Sequence, residues 1–112
     1  MQESKTELLR GTLDLLIMKT LARSSSHGYG IARSIEQTTR DVLHVEEGSL
    51  YPALYRMEAK GWIRSEWGVS DTNRRAKYYY LTDIGREQLK RETNSWKRIV
   101  NAVGLILREQ SI

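Results

Sequence analysis

Apolar residues recur at helical spacing in three successive segments of the chain. The first runs from about Glu7 to Arg23, and the second from about His27 to Thr39 with Ser26 as its predicted N-cap. The third runs from about Glu46 to Lys60 and stops before Gly61. Repeats of three and four residues place one apolar stripe on each helix. These stripes comprise Leu9, Leu13, Leu16, Ile17, Thr20 and Leu21, then Ile31 and Ile35, then Leu50, Ala53, Leu54 and Met57.

Two strand-like runs follow the third helix. They span Trp62 to Trp67 and Ala76 to Leu81, and a polar stretch from Val69 to Asn73 lies between them. Aromatic and β-branched residues favour strands, so this segment predicts a β-hairpin. Three consecutive tyrosines alternate across the second strand. We expect Tyr78 and Tyr80 to face the core, although alternation alone leaves the two faces unassigned.

A long helix is predicted from about Asp83 to Glu109, with Thr82 as its N-cap. At ~1.5 Å per residue it would be roughly 40 Å long, more than the body of so small a domain. It must therefore project or pack on something outside the chain. Its apolar positions recur at heptad spacing, with an interruption at Glu92 and Thr93, and predict a dimerisation face. That face comprises Leu89, Trp96, Ile99, Val100, Val103, Ile106 and Leu107.

The order of these elements defines the expected fold class. Three short helices followed by a hairpin match the winged helix-turn-helix plan, in which the third helix enters the DNA major groove. We expect a mainly α protein with a small β-hairpin. Residues 1–81 would form the winged helix-turn-helix domain, and residues 82–112 the long C-terminal helix for dimerisation.

Composition narrows the function classes. The 112 residues include no cysteine, which excludes disulfides, a thiol nucleophile and Cys-based metal sites. His27 and His44 are too few for a His-only metal cage, and no catalytic or nucleotide-binding motif is present. We therefore expect no enzyme, metal or cofactor. We also expect a cytoplasmic protein that does not enter a membrane, because no signal or spanning run is visible.

The third helix carries candidate chemistry on its outward face. Ser49, Pro52, Tyr55 and Arg56 lie opposite the apolar stripe, and Tyr51 lies at its edge. An arginine here can donate paired hydrogen bonds to guanine or hold a phosphate. A solvated amphipathic helix would show the same residues, so this alternative stays open.

The hairpin carries a compact group of cations. Arg74, Arg75 and Lys77 lie at its turn and second strand, and a net charge of +4 agrees with an anionic partner. Such cations suit a DNA backbone, where each phosphate contact releases counterions. A solvated turn is the alternative. The position of the cluster after the proposed recognition helix, where a wing belongs, favours contact with DNA.

Several ordered motifs resemble the PadR family of transcriptional regulators. They are His27-Gly28-Tyr29-Gly30-Ile31, Gly48 to Leu54, Arg56-Met57-Glu58, Gly61-Trp62-Ile63, Arg74 to Tyr79, and Leu81 to Gly85. The resemblance covers about residues 8–90, and the single C-terminal helix is similar to the small subfamily. It implies a homodimeric repressor on a roughly palindromic operator in double-stranded DNA, relieved by a small, often aromatic effector. By motif, it places Tyr29, Ser49, Tyr51, Pro52, Tyr55, Arg56, Arg74, Arg75 and Lys77 at the DNA.

Trp96 allows two interpretations. Tryptophan is common as an anchor in protein interfaces, and the long helix is expected to pair with a partner. The family resemblance also suggests a stacking wall, on which Trp96 and its dimer mate would hold a flat aromatic effector. A rival function for the whole chain is a winged helix used only to bind proteins. Such a module has no need of Arg74, Arg75 and Lys77.

Overall fold

The computed structural model describes the backbone of residues 2–108 and the side chains of residues 12–108. In this range the chain is mainly helical, with a small antiparallel sheet and a long last helix, which confirms the expected fold class. The predicted side chain of Leu9 and the predicted helix end at Glu109 lie outside the described residues. The elements are α1 Gln2–Arg23, β1 Ser26–His27, α2 Gly28–Thr38, α3 Glu47–Ala59, β2 Ile63–Val69, β3 Arg75–Leu81 and α4 Asp83–Arg108.

The core lies between the first three helices and one face of the sheet. The predicted stripes of α2 and α3 are confirmed, because all of their apolar members are buried. In α1 the buried face differs from the predicted stripe. Met18, which the stripe left out, is fully buried, whereas Leu16 and Thr20 are only partly buried. The buried side chains are Leu13, Ile17, Met18, Leu21, Ile31, Ile35, Val45, Leu50, Ala53, Leu54, Met57, Ile63 and Tyr79.

The hairpin of β2 and β3 forms the wing. Its ladder runs from the pair Ile63 and Leu81 to the pair Val69 and Arg75. At the tip, the Ser70 amide donates to the Arg74 carbonyl at 2.7 Å, and Asn73 adopts a left-handed conformation with φ of 63°. Asparagine tolerates that conformation better than most residues, which lets the loop close tightly.

The start of α2 differs from the prediction. Ser26 was expected to cap this helix, but His27 does so: its Nδ1 accepts a hydrogen bond from the Gly30 amide at 3.0 Å. Ser26 and His27 instead pair with Tyr79 and Tyr78 as a short third strand, which gives the sheet order β1-β3-β2. The extended backbone of His27 serves both roles, because an N-cap residue lies in the β region.

The tyrosines of β3 were assigned to the wrong faces. Tyr79 is the buried one, at 6 % exposure, whereas Tyr78 and Tyr80 are only partly buried. The reason is the register, because Tyr79 lies two residues from Leu81, whose partner Ile63 is buried in the core. Burial raises the pKa of the Tyr79 hydroxyl, and the nearby Glu58 and Tyr51 raise it further.

One junction sets the direction of α4. The predicted cap is confirmed: the Thr82 hydroxyl accepts from the Gly85 amide at 3.0 Å and lies 2.6 Å from the Gly61 carbonyl oxygen. The Thr82 amide donates to the Trp62 carbonyl at 3.0 Å. Gly85 packs directly on that carbonyl, and a Cβ at this position would collide with it and lie 2.7 Å from Leu81. Close approach of helix and strand therefore requires glycine here.

Beyond this junction, α4 leaves the body of the domain. The described residues extend over 59 × 30 × 21 Å, and the longest dimension reflects the projecting helix. α4 packs on α1 within the chain, and Leu89 lies partly buried against the core. From Trp96 onward the apolar side chains of α4 are exposed.

Substitution of Gly85 by alanine is expected to destabilise the fold. The new Cβ has no room between Trp62 and Leu81, and forced overpacking costs about 1–3 kcal/mol. The matched control is Gly48→Ala in α3, where a Cβ meets no atom within 4 Å. We expect that change to be neutral or to stabilise by up to about 1 kcal/mol, since alanine is the better helix former. Chemical denaturation measures both, and equal stability of the two variants would contradict the packing at Gly85.

Candidate nucleic-acid interface

The outward face of α3 is open to solvent along most of its length. Tyr55 is 79 % exposed and Tyr51 44 % exposed, while Pro52 and Arg56 are also exposed and Ser49 is partly buried. Pro52 is the sixth residue of α3 and lies inside the helix, where it removes the amide that would otherwise bond to the Gly48 carbonyl. The face therefore presents aromatic and hydroxyl-bearing side chains beside its single cation, as the sequence pattern predicted.

Tyr51 is held by the neighbouring helix. Its ring packs on Gly28 at the start of α2, so closely that a Cβ on Gly28 would lie 2.6 Å from the Tyr51 hydroxyl oxygen. Only glycine leaves room for the ring in this position. The contact fixes where Tyr51 stands between α2 and α3, with part of its ring still exposed.

The three wing cations have different surroundings. The Arg75 guanidinium lies 4.4 Å from the centre of the Trp67 ring, a cation–π contact across the two strands. Lys77 Nζ lies 4.0 Å from a Glu58 carboxylate oxygen of α3. Arg74 forms no ion pair within the described part of the chain. Arg74 is therefore the wing cation most available to an external anion.

A groove separates the wing from the start of α2. Its volume is about 890 Å³. Tyr29 and Arg33 of α2 lie on one side, and the tip of the wing lies on the other. Tyr29 is 67 % exposed, and the cations on both sides outnumber the one acidic residue, Asp71. The lining residues are Ser26, His27, Tyr29, Gly30, Arg33, Ser70, Asp71, Thr72, Arg74, Arg75 and Ala76.

Arg56 is already paired within the chain. Its Nη2 donates to Asp14 Oδ1 of α1 at 2.6 Å, a charge-assisted hydrogen bond that joins α3 to α1. The sequence pattern placed Arg56 on the outward face of α3 but did not indicate that it pairs with Asp14. The two residues are 42 positions apart, and no local spacing relates them.

The predicted dimerisation face divides into two parts. Leu89 packs against the chain's own core, so it serves the fold of the single chain. The other predicted members are exposed, from 44 % at Trp96 to 74 % at Leu107. The exposed members are Trp96, Ile99, Val100, Val103, Ile106 and Leu107.

Sequence reasoning missed three residues of this surface. Arg33 lies on α2 four residues after Tyr29, and that helical spacing could have placed both on one face. Trp67 ends the first predicted strand, and its position opposite the wing cations follows only from the register. The role of Asp14 has no signal in the sequence.

Both histidines contact other groups of the chain. His27 caps α2, and His44 Nδ1 lies 3.8 Å from a Glu36 carboxylate oxygen. Across the described residues, His, Cys, Asp and Glu form no group of three able to hold a metal ion. In the same part of the chain, none of the helices combines the length and apolarity required to cross a bilayer.

Comparison with known proteins agrees with this architecture. The model of the transcriptional regulator PadR-like family matches residues 17–91. A transcriptional regulator of Mycobacterium tuberculosis is 30 % identical over 97 residues, which cover 87 % of each chain.

Two solved structures resemble most of the chain. A transcriptional regulator from Clostridium thermocellum has a TM-score of 0.83 at 28 % identity, covering 91 % of this chain and 99 % of its own. A PadR-like transcriptional regulator from Bacillus cereus has a TM-score of 0.79 at 29 % identity, covering 93 % and 99 %. The chain therefore belongs to the PadR-like family of transcriptional regulators, which are DNA-binding winged-helix proteins and not enzymes.

Proposed function

We propose that this regulator is a homodimeric repressor that reads a roughly palindromic operator and releases it when a small aromatic effector binds. One observation supports DNA readout best: the start of α2 and the wing border two grooves, and α3 borders one of them. Residues from all three elements line one of these grooves, including Tyr29, Tyr51 and Lys77. A helix flanked by basic and aromatic groups in this way suits a duplex.

The parts of this surface would divide the work of recognition. α3 would enter the major groove, where Ser49, Tyr51, Pro52, Tyr55 and Arg56 face the base edges and the groove walls. Phosphate contacts position a protein on DNA, whereas base contacts specify the sequence. The wing and α2 would supply the phosphate contacts, through Tyr29, Arg74, Arg75 and Lys77.

The exposed face of α4 would bury itself against a second copy. The face runs from Trp96 to Leu107 and carries six apolar side chains in helical register. A contiguous apolar face of this kind is typical of a protein interface. A symmetric dimer also provides two recognition helices, which a palindromic operator requires.

Trp96 would line the effector site at the centre of this dimer. It is the one aromatic residue among the exposed apolar side chains of α4, at 44 % exposure. A ring that is only partly covered can stack on a flat ligand and still contact the partner helix. An effector there would act on DNA binding by changing the distance between the two recognition helices.

Removal of a wing cation should weaken DNA binding and reduce its salt dependence. We expect Arg74→Ala to reduce the slope of log affinity against log salt by about 0.9 per protomer, or roughly two per dimer. Fluorescence anisotropy measures this on labelled DNA from upstream of the protein's own gene and on scrambled DNA. The control is Lys90→Ala on α4, which removes an equal charge from the projecting helix and should leave the slope unchanged.

The anisotropy series and a follow-up selection together distinguish a DNA-binding regulator from a module that binds only proteins. If the upstream DNA is not preferred, a selection from random duplexes should still enrich one sequence. Enrichment of none would contradict sequence-specific binding and favour the alternative function, a winged helix that binds only proteins.

Charge on the apolar face of α4 should dissociate the dimer. Ile106→Glu would bury an unpaired carboxylate in the proposed interface, which is strongly unfavourable. Sedimentation should give twice the 13.0 kDa chain mass for the unsubstituted protein and the chain mass for the variant. Asn101→Glu, on the opposite side of the helix, is the matched control and should remain dimeric. A dimer that persists in Ile106→Glu would place the interface elsewhere.

The effector site should depend on Trp96 and not merely on the dimer. A flat aromatic dye should quench tryptophan fluorescence in the unsubstituted protein. Trp96→Ala should remain dimeric and lose that quenching. The fluorescence of Trp62 and Trp67 remains measurable in this variant. A dye response of unchanged size in Trp96→Ala would leave Trp96 as an interface anchor only.

A further inference from the structure

The ion pair of Arg56 and Asp14 brings an acid to the edge of the proposed DNA-reading face. Arg56 lies on the exposed side of α3, one residue after Tyr55. Its side chain is 48 % exposed, whereas the side chain of Asp14 is 24 % exposed. The carboxylate is therefore the more enclosed partner, and the guanidinium is the one that still reaches solvent.

The contact uses only part of the guanidinium. It joins Nη2 of Arg56 to Oδ1 of Asp14. A guanidinium carries further N–H donors on Nη1 and Nε, which no contact to Asp14 occupies. Arg56 can consequently keep its bond to Asp14 and still donate to a base edge. The bond also limits the orientations that a long and flexible side chain would otherwise adopt.

The pair also changes what Arg56 offers to phosphates. A free arginine adds one positive charge to the surface and binds any phosphate of any sequence. With Asp14 at 2.6 Å, the net charge of the pair is zero, so this long-range attraction is largely cancelled. The short directional bonds to a base remain available, since they depend on the free donors and not on net charge.

We propose that Asp14 is a specificity-determining positioning residue, which orients Arg56 toward a base and suppresses its contact with non-specific phosphates. This rests on the proposed DNA-binding function and assigns a task to α1 in it. Asp14 contributes no contact of its own to DNA. It acts through Arg56, and it would lower non-specific affinity while leaving operator recognition intact.

The test compares Asp14→Asn with the unsubstituted dimer on operator and scrambled DNA across a salt series. Asparagine keeps the shape of the side chain and removes its charge. We expect scrambled DNA to bind on the order of tenfold more tightly at low salt, with a slope steeper by about 0.9 per protomer. The ratio of operator to scrambled affinity should fall. Glu87→Gln on α4 removes an equal charge and should change neither quantity.

A second variant shows whether the effect passes through Arg56. In Arg56→Gln, Asp14 is left without its cation, so both the operator and scrambled DNA should bind more weakly. In the double variant Asp14→Asn/Arg56→Gln, the added affinity for scrambled DNA should disappear. If the double variant keeps that gain, the carboxylate acts as a general repulsive charge and the proposal is wrong.

Two further outcomes of these measurements distinguish a failure of the role proposed for Asp14 from a failure of the proposed DNA-binding function. Unchanged slope and unchanged affinity ratio in Asp14→Asn would overturn the role of Asp14 and leave the DNA-binding function standing. Failure of the unsubstituted protein to prefer any duplex would instead overturn the proposed function itself. Thermal unfolding of each variant separates these results from loss of the fold, because Asp14 joins two helices of the body.

Discussion

The arrangement of this molecule depends on the junction at Thr82. The Thr82 side chain caps α4, and its amide donates to the carbonyl of Trp62, the residue just before β2, so one residue orients the projecting helix relative to the hairpin. Gly85 lets the helix rest directly on the Trp62 carbonyl, without a side chain between them. The body that carries the proposed DNA-binding surface and the arm that would bind a second copy are thereby joined at a short, well-packed contact.

Much of this fold could be predicted from the sequence, and the failures have a common cause. Local periodicity of apolar residues predicts helices, and the N-cap at Thr82 could be predicted because it depends only on residues that are close in the sequence. The short strand of Ser26 and His27 was missed because its partners, Tyr79 and Tyr78, lie about fifty residues away. The prediction of which tyrosines are buried was wrong for the same reason, because the register between the strands decides which face of β3 packs on the core.

The candidate site divides along similar lines. Helical projection placed Tyr55 and Arg56 on the outward face, and that prediction needed only the spacing along α3. What restrains these side chains was beyond the pattern: Arg56 is paired to Asp14, Lys77 lies near Glu58, and Arg75 stacks on Trp67. A count of cations therefore overstates the free positive charge that this PadR-family regulator offers to DNA. The distribution of partners among them decides which contacts are general and which are selective.

The contact between Gly28 and Tyr51 has a consequence for how such a surface can diverge. A side chain at position 28 would occupy the space of the tyrosine ring, so it requires a smaller or redirected residue at position 51. The two positions are therefore epistatic, and a change at the first is tolerated only after a change at the second. Because Tyr51 belongs to the proposed DNA-reading face of α3, a change of DNA preference at position 51 would come first and permit the later substitution in α2. The reverse order passes through a strained intermediate.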